Sequence, residues 1–88
     1  MAGIVSYEDI AIAMGRSSSV VKSWASLSRP KTMGWTNIKI GAGKQPTRYY
    51  NIDDAVAWLA RCYAHFDGAF EKRLREIAQA NSVKLEAA

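Results

Sequence analysis

Cysteine is nearly missing from this chain: Cys62 stands alone, which excludes an intramolecular disulfide and suits a reducing compartment. Histidine is equally scarce. His65 follows Cys62 by three residues and Asp67 is close behind, but structural zinc sites take four ligands and there is no second Cys or His, so no metal is expected. Cys62 also lacks the separate orienting group that an activated thiol nucleophile needs, and no acid–base pair is in view, so no enzyme activity is expected. No apolar run approaches the ~18 residues of a membrane span and no secretory signal is present, so the expectation is a soluble protein with no membrane partner. Gly41-Ala42-Gly43-Lys44 has the glycine spacing of a phosphate loop, but no Ser or Thr follows the lysine and no helix opens after it. No cofactor is expected.

Acid is missing from the middle third. Arg16, Lys22, Arg29, Lys31, Lys39, Lys44 and Arg48 are seven basic residues in succession with no Asp or Glu among them. Glu8 and Asp9 precede the stretch, and acids return only at Asp53. The net charge of +4 is therefore unevenly spread, and a one-signed field across several elements is the footprint of a nucleic-acid surface. The apolar fraction of 49% argues for a folded chain, and 88 residues fit a single core.

Ser6 opens a first helix over 7–14. Its side chain suits the amide of Asp9, the carboxylate of Asp9 can answer the amide of Ser6, and Val5 can staple onto Ile10. Gly15 closes this helix in the left-handed conformation. Ser17 or Ser18 then caps a second helix over 18–27, which ends before Pro30. Two short helices across a small Gly-containing turn make a helix-turn-helix, whose second helix enters the major groove of DNA. In that helix Val20, Val21 and Trp24 form the apolar side, while Ser18, Ser19, Lys22 and Ser23 form a small, hydrogen-bonding, basic side able to approach a polyanion closely.

Ser28 to Gly34 reads as a loop in which Arg29 and Lys31 are phosphate-seeking. Thr36, Ile38 and Ile40 alternate as a strand, and 47–52 forms a second, so the chain makes a β-hairpin with a basic tip. Tyr49 and Tyr50 must point to opposite faces. Asp53 is expected to cap a third helix that buries Ile52, Val56, Leu59, Tyr63 and Phe66, with Ala55, Trp58 and Cys62 on an adjoining side. Asp67 can cap a last helix striped by Phe70, Leu74 and Ile77, with Glu71 and Arg75 paired at i,i+4 and the stripe fading at Asn81. Trp24 and Trp58 are expected in the core, and Trp35 at core or surface alike. The stripe of the last helix is expected to support self-association.

The segments EDIAIAMGRSSSVVKSW and RYYNIDDAVAWLARC, with the basic hairpin between them, resemble the small winged helix-turn-helix proteins of phages and mobile elements. These comprise excisionases, MerR-like DNA-binding domains and the N-terminal domain of phage terminase small subunits, and the resemblance covers roughly residues 5–63. It implies an α+β, mostly α fold: a winged helix-turn-helix with a two-stranded wing over 1–66, then a C-terminal amphipathic helix and tail over 67–88. It implies sequence-specific binding of double-stranded DNA by a phage-type transcriptional regulator or excisionase-like architectural factor. Ser18, Ser19, Lys22 and Ser23 take the major groove by position, and Lys44, Gln45 and Arg48 the adjacent backbone or minor groove. Arg16, Arg29 and Lys31 join them as phosphate contacts. Further expectations are a homodimer or cooperative oligomer on DNA and a cytoplasmic, nucleoid-associated or host-cytoplasm location. The alternative reading is a protein-interaction adaptor or a terminase-like packaging module. The sequence departs from the family in its longer loop from Ser28 to Trp35 and in Trp35 itself.

Overall fold

The computed structural model describes residues 3–31, 33–39 and 45–87. The described chain is mostly helical with a small antiparallel sheet. Its order is β1 (Ile4–Val5), α1 (Tyr7–Met14), α2 (Ser18–Ser28), β2 (Thr36–Ile38), β3 (Thr47–Asn51), α3 (Ile52–Cys62) and α4 (Gly68–Ala87). The sheet runs β1-β3-β2, with β3 in the centre.

Local chemistry sets the first three elements. The Ser6 hydroxyl accepts from the Asp9 amide at 3.2 Å and the Asp9 carboxylate accepts from the Ser6 amide at 3.0 Å, a complete capping box. Gly15 at φ 66° ends α1, and its amide and that of Arg16 bond back into the last turn. Ser17 caps α2 through the Val20 amide. The buried stripe of α2 is Val21 backed by half-buried Trp24, Ala25 and Ser28, spaced i, i+3, i+4 and i+7. Val20, expected on that apolar side, is exposed instead, because only one of two adjacent valines can lie at the centre of a helical contact.

Strand β1 was not expected. Ile4 and Val5 pair with Asn51 and Tyr50, an extension dictated by the partner strand rather than by any periodicity in two residues. In the other pairing Thr36 faces Tyr49, Asn37 faces Arg48 and Ile38 faces Thr47, so β2 stops two residues short of Ile40, which lies outside the described residues. Tyr50 is buried while Tyr49 is half-exposed, as alternation requires.

Helix α3 begins earlier than expected. Its cap is Asn51, whose side-chain oxygen accepts from the amides of Asp53 and Asp54; Asp53 already lies in the first turn and complements the helix dipole there. Cys62 is exposed rather than lining the core beside Ala55 and Trp58.

Helix α4, capped by Asp67 as expected, lies across α1, β1 and α3. Its buried residues are Leu74, Ala78 and Asn81. The Asn81 amide group donates to the Ile4 carbonyl and to the Asp9 carboxylate, both at 2.9 Å, so the stripe does not fade there but continues as a polar clasp on the capping box. Arg75 bridges Glu71 and Asp53, joining α4 to the start of α3. Leu74 is fully enclosed in the monomer's own core, and Phe70 and Ile77 are half-buried. Leu74 therefore serves the chain's own core, where its burial contributes about 1.5–3 kcal/mol.

Candidate functional site

Helix α2 and strand β3 face each other across a cleft of about 440 Å³ lined by Ser6, Tyr7, Glu8, Lys22, Pro46, Thr47 and Arg48. Lys22 reaches it from α2, while Pro46, Thr47 and Arg48 reach it from the hairpin. Capping and packing fix both walls. Ser17 starts α2, Val21 is buried against the core, and Ser28 closes the helix by donating to the Trp24 carbonyl at 2.8 Å while accepting from the Trp58 indole N–H at 3.0 Å.

Of the residues expected at a DNA surface, Arg16, Ser19, Lys22, Ser23, Lys31, Gln45 and Arg48 are exposed, and Ser18 and Arg29 are half-buried. Lys44 lies outside the described residues. Lys22 and Arg48 share the cleft; Gln45 lies on a neighbouring depression with Ser6, Glu8, Asp9, Thr47, Tyr49, Asn81 and Lys84. Neither cleft gathers in Arg16 or Lys31. Ser23 is less available than its position implied, because its hydroxyl donates to the Ser19 carbonyl at 3.1 Å.

Glu8 went unmarked in the sequence as a site residue. Its value there was as a helix-start acid, yet it lines the same cleft as Lys22 and Arg48. The Tyr49 phenol reports the same local field: burial pushes its pKa up, and Asp9 and Glu8 push it further. Tyr7 contributes the cleft's aromatic wall. It stacks on Tyr50 at 4.8 Å between centroids and accepts a hydrogen bond from the Tyr50 hydroxyl at 2.8 Å. Burial raises the Tyr7 pKa well beyond its ordinary value.

Behind the hairpin, Trp35 is 45% exposed and carries two guanidiniums: the Cζ of Arg48 lies 4.7 Å and that of Arg29 5.1 Å from its ring centroid. Arg29 also lies 5.6 Å from the Tyr50 ring and donates to the Met33 carbonyl at 2.8 Å. Strand alternation is the signal that could have found this cluster. It sets Arg48 and Tyr50 on one face, and the pairing of Thr36 with Tyr49 carries Trp35 toward Tyr50, 6.4 Å away.

Among the described residues no three His, Cys, Asp or Glu side chains converge as metal ligands, and no helix is long and apolar enough to cross a membrane. Comparison with known protein families, characterised proteins and solved structures finds no match to this chain.

Proposed function

We propose that this chain is a sequence-specific double-stranded DNA-binding protein of the winged helix-turn-helix type, acting as a phage-type transcriptional regulator or excisionase-like architectural factor. Helix α2 enters the major groove, and the β2–β3 hairpin lies on the adjacent backbone or minor groove as a wing. The observation that carries this reading is the cleft that joins Lys22 of α2 to Arg48 of the hairpin. Two cations on separate elements facing one concavity suit a polyanion wide enough to touch both. The small side chains Ser19, Ser23 and Ser26 on the exposed side of α2 let its backbone come close to base edges, where Lys22 can donate to the O6 and N7 acceptors of guanine.

A second reading, a protein-docking adaptor, is favoured by one observation: Leu27 on α2 is 87% exposed. Salt separates the two. A DNA complex loses affinity steeply as salt rises, because each neutralised phosphate releases counterions, whereas apolar docking on Leu27 does not. The experiment is selection of duplexes from a random library, followed by anisotropy titrations from low to physiological salt. Enrichment of a defined site with a steep salt slope is the expected result. Failure to enrich any sequence, with no measurable duplex affinity at low salt, overturns the reading.

A further inference from the structure

Most exposed arginines on a protein of mixed charge lie near a carboxylate. Among the described residues the ion pairs are those of Arg75; Arg29 and Arg48 form none, and both these guanidiniums rest on one partly exposed indole instead. An aromatic face attracts a cation without neutralising it. The result is two full positive charges brought to one ring, neither of them in an ion pair among the described residues. Their separation is bounded by two cation–π distances from a common centroid, which is the length of one or two neighbouring phosphates along a strand.

Arg29 is held further. One of its terminal nitrogens donates to the Met33 carbonyl and its plane approaches Tyr50, so this side chain has little rotamer freedom left to lose on binding. Among the described residues its remaining N–H groups, and those of Arg48, have no hydrogen-bond partner and keep the planar fork that matches phosphate oxygens. Trp35 does not itself need to touch the ligand. Its ring fixes the spacing between the two forks.

We infer that Trp35, Arg29 and Arg48 form a preorganised site for a short phosphodiester segment of a single strand, with Trp35 as the positioning residue for both arginines. The inference rests on the DNA-binding reading for the source of its phosphates, but the site's chemistry is testable without it.

The test is a double-mutant cycle between Trp35→Leu and Arg48→Gln, read by duplex affinity, salt slope and the side-chain Nε–Hε resonances of Arg29 and Arg48. Trp35→Leu alone should weaken duplex binding about tenfold although no charge is removed. Trp35→Phe, which keeps an aromatic face, should recover most of that loss. Arg48→Gln should lower the salt slope by about one and should cost much less in the Trp35→Leu background, since a released arginine is no longer positioned. Thermal melting of each variant separates this from a folding defect; the partly exposed site predicts melts close to wild type. Additive effects, or wild-type affinity for Trp35→Leu, overturn the inference. Should no duplex bind, tripolyphosphate serves as probe: saturable, concerted shifts of both arginine resonances that vanish in Trp35→Leu uphold the site while the DNA reading falls, and absence of those shifts overturns the site as well.

Discussion

The Ser28 hydroxyl donates to the Trp24 carbonyl, accepts from the Trp58 indole and lies 3.1 Å from the Tyr63 hydroxyl, so one atom holds the end of α2 to α3 and to the residue after it. Trp58 is 1% exposed, so removing its acceptor leaves a buried donor unsatisfied. Ser28→Ala should therefore destabilise by about 1–3 kcal/mol. In a domain of this size that lowers Tm by several degrees per kcal/mol, a shift scanning calorimetry would register; a melt identical to wild type would mean the indole finds another partner. The two core tryptophans should also differ. Trp58→Ala removes a fully buried ring at about 3–5 kcal/mol, whereas Trp24 is half-buried against Tyr63 at 4.5 Å and its loss should be milder. In the cleft, Glu8 adds a negative charge that would repel the phosphates of the proposed DNA partner. Glu8→Gln should tighten binding to all duplexes a few-fold without changing base preference, while Lys22→Ala should relax preference at one G·C position by about 1–3 kcal/mol. A base-substitution scan of the selected site with both variants tests this; a uniform loss across positions for Lys22→Ala would make it a phosphate contact.

At the scale of elements, what was legible in the sequence was what local hydrogen bonding decides. The bounds of α1 and α2 were readable because the Ser6–Asp9 box, Gly15 and Ser17 are signals within four residues of their partners. Strand β1 was not readable, since two residues become a strand only where β3 offers them a free edge. The cap of α3 was misplaced by two positions because Asn51, Asp53 and Asp54 are all good caps, and the choice falls to where β3 ends. The stripe of α4 was misjudged for a different reason: Asn81 looks like the end of an apolar face until its amide is seen to satisfy Ile4 and Asp9. Of the candidate site, residue types and charge sign were legible, but the meeting of Lys22 with Arg48 and of Arg29 with Arg48 through Trp35 depends on how β3 lies beside the helices. Gly3 gives the packing of α4 on β1 a sharp test. A Cβ there would lie 2.5 Å from the Ala78 Cβ and 2.8 Å from the Ala78 backbone carbonyl. Gly3→Ala must push α4 outward, and overpacking of this kind costs about 1–3 kcal/mol. Urea unfolding should show the loss; an unchanged midpoint would mean that α4 slides freely over β1.

Over the whole molecule, one core cluster runs from Val5 on β1 through Ile10, Val21, Tyr50 and Leu59 to Leu74 and Ala78 on α4. Tyr7 packs against that cluster, and Tyr49 lies on the other face of the same strand as Tyr50. Both phenols have folded-state pKa values raised above the ordinary 10.0, Tyr7 chiefly and Tyr49 first of all by burial. The folded protein therefore holds protons that the unfolded chain releases, so their contribution to stability is whole below pH 10 and is lost as pH climbs through the folded values. Stability measured by urea from pH 8 to 11 should fall at the alkaline end, and Tyr7→Phe should flatten that fall; an equal decline in both would assign it elsewhere. The shared core also sets what α4 means for the proposed DNA-binding surface, which lies on other elements. A chain ending at residue 67 would keep α2, the hairpin, Trp35 and every candidate contact, yet would uncover the sides of β1, α1 and α3 against which α4 packs. It would also strip Asp9 and the Ile4 carbonyl of Asn81. Lost burial of Leu74 alone is worth about 1.5–3 kcal/mol, against a total of roughly 5–15 kcal/mol for an ordinary domain. The truncated chain should therefore lose cooperative unfolding by calorimetry and bind duplex weakly at 37 °C, with affinity partly restored by cooling or by excess DNA, which binds only the folded form. Full-length affinity at 37 °C together with a sharp melt would mean that residues 1–67 suffice and that α4 only covers them.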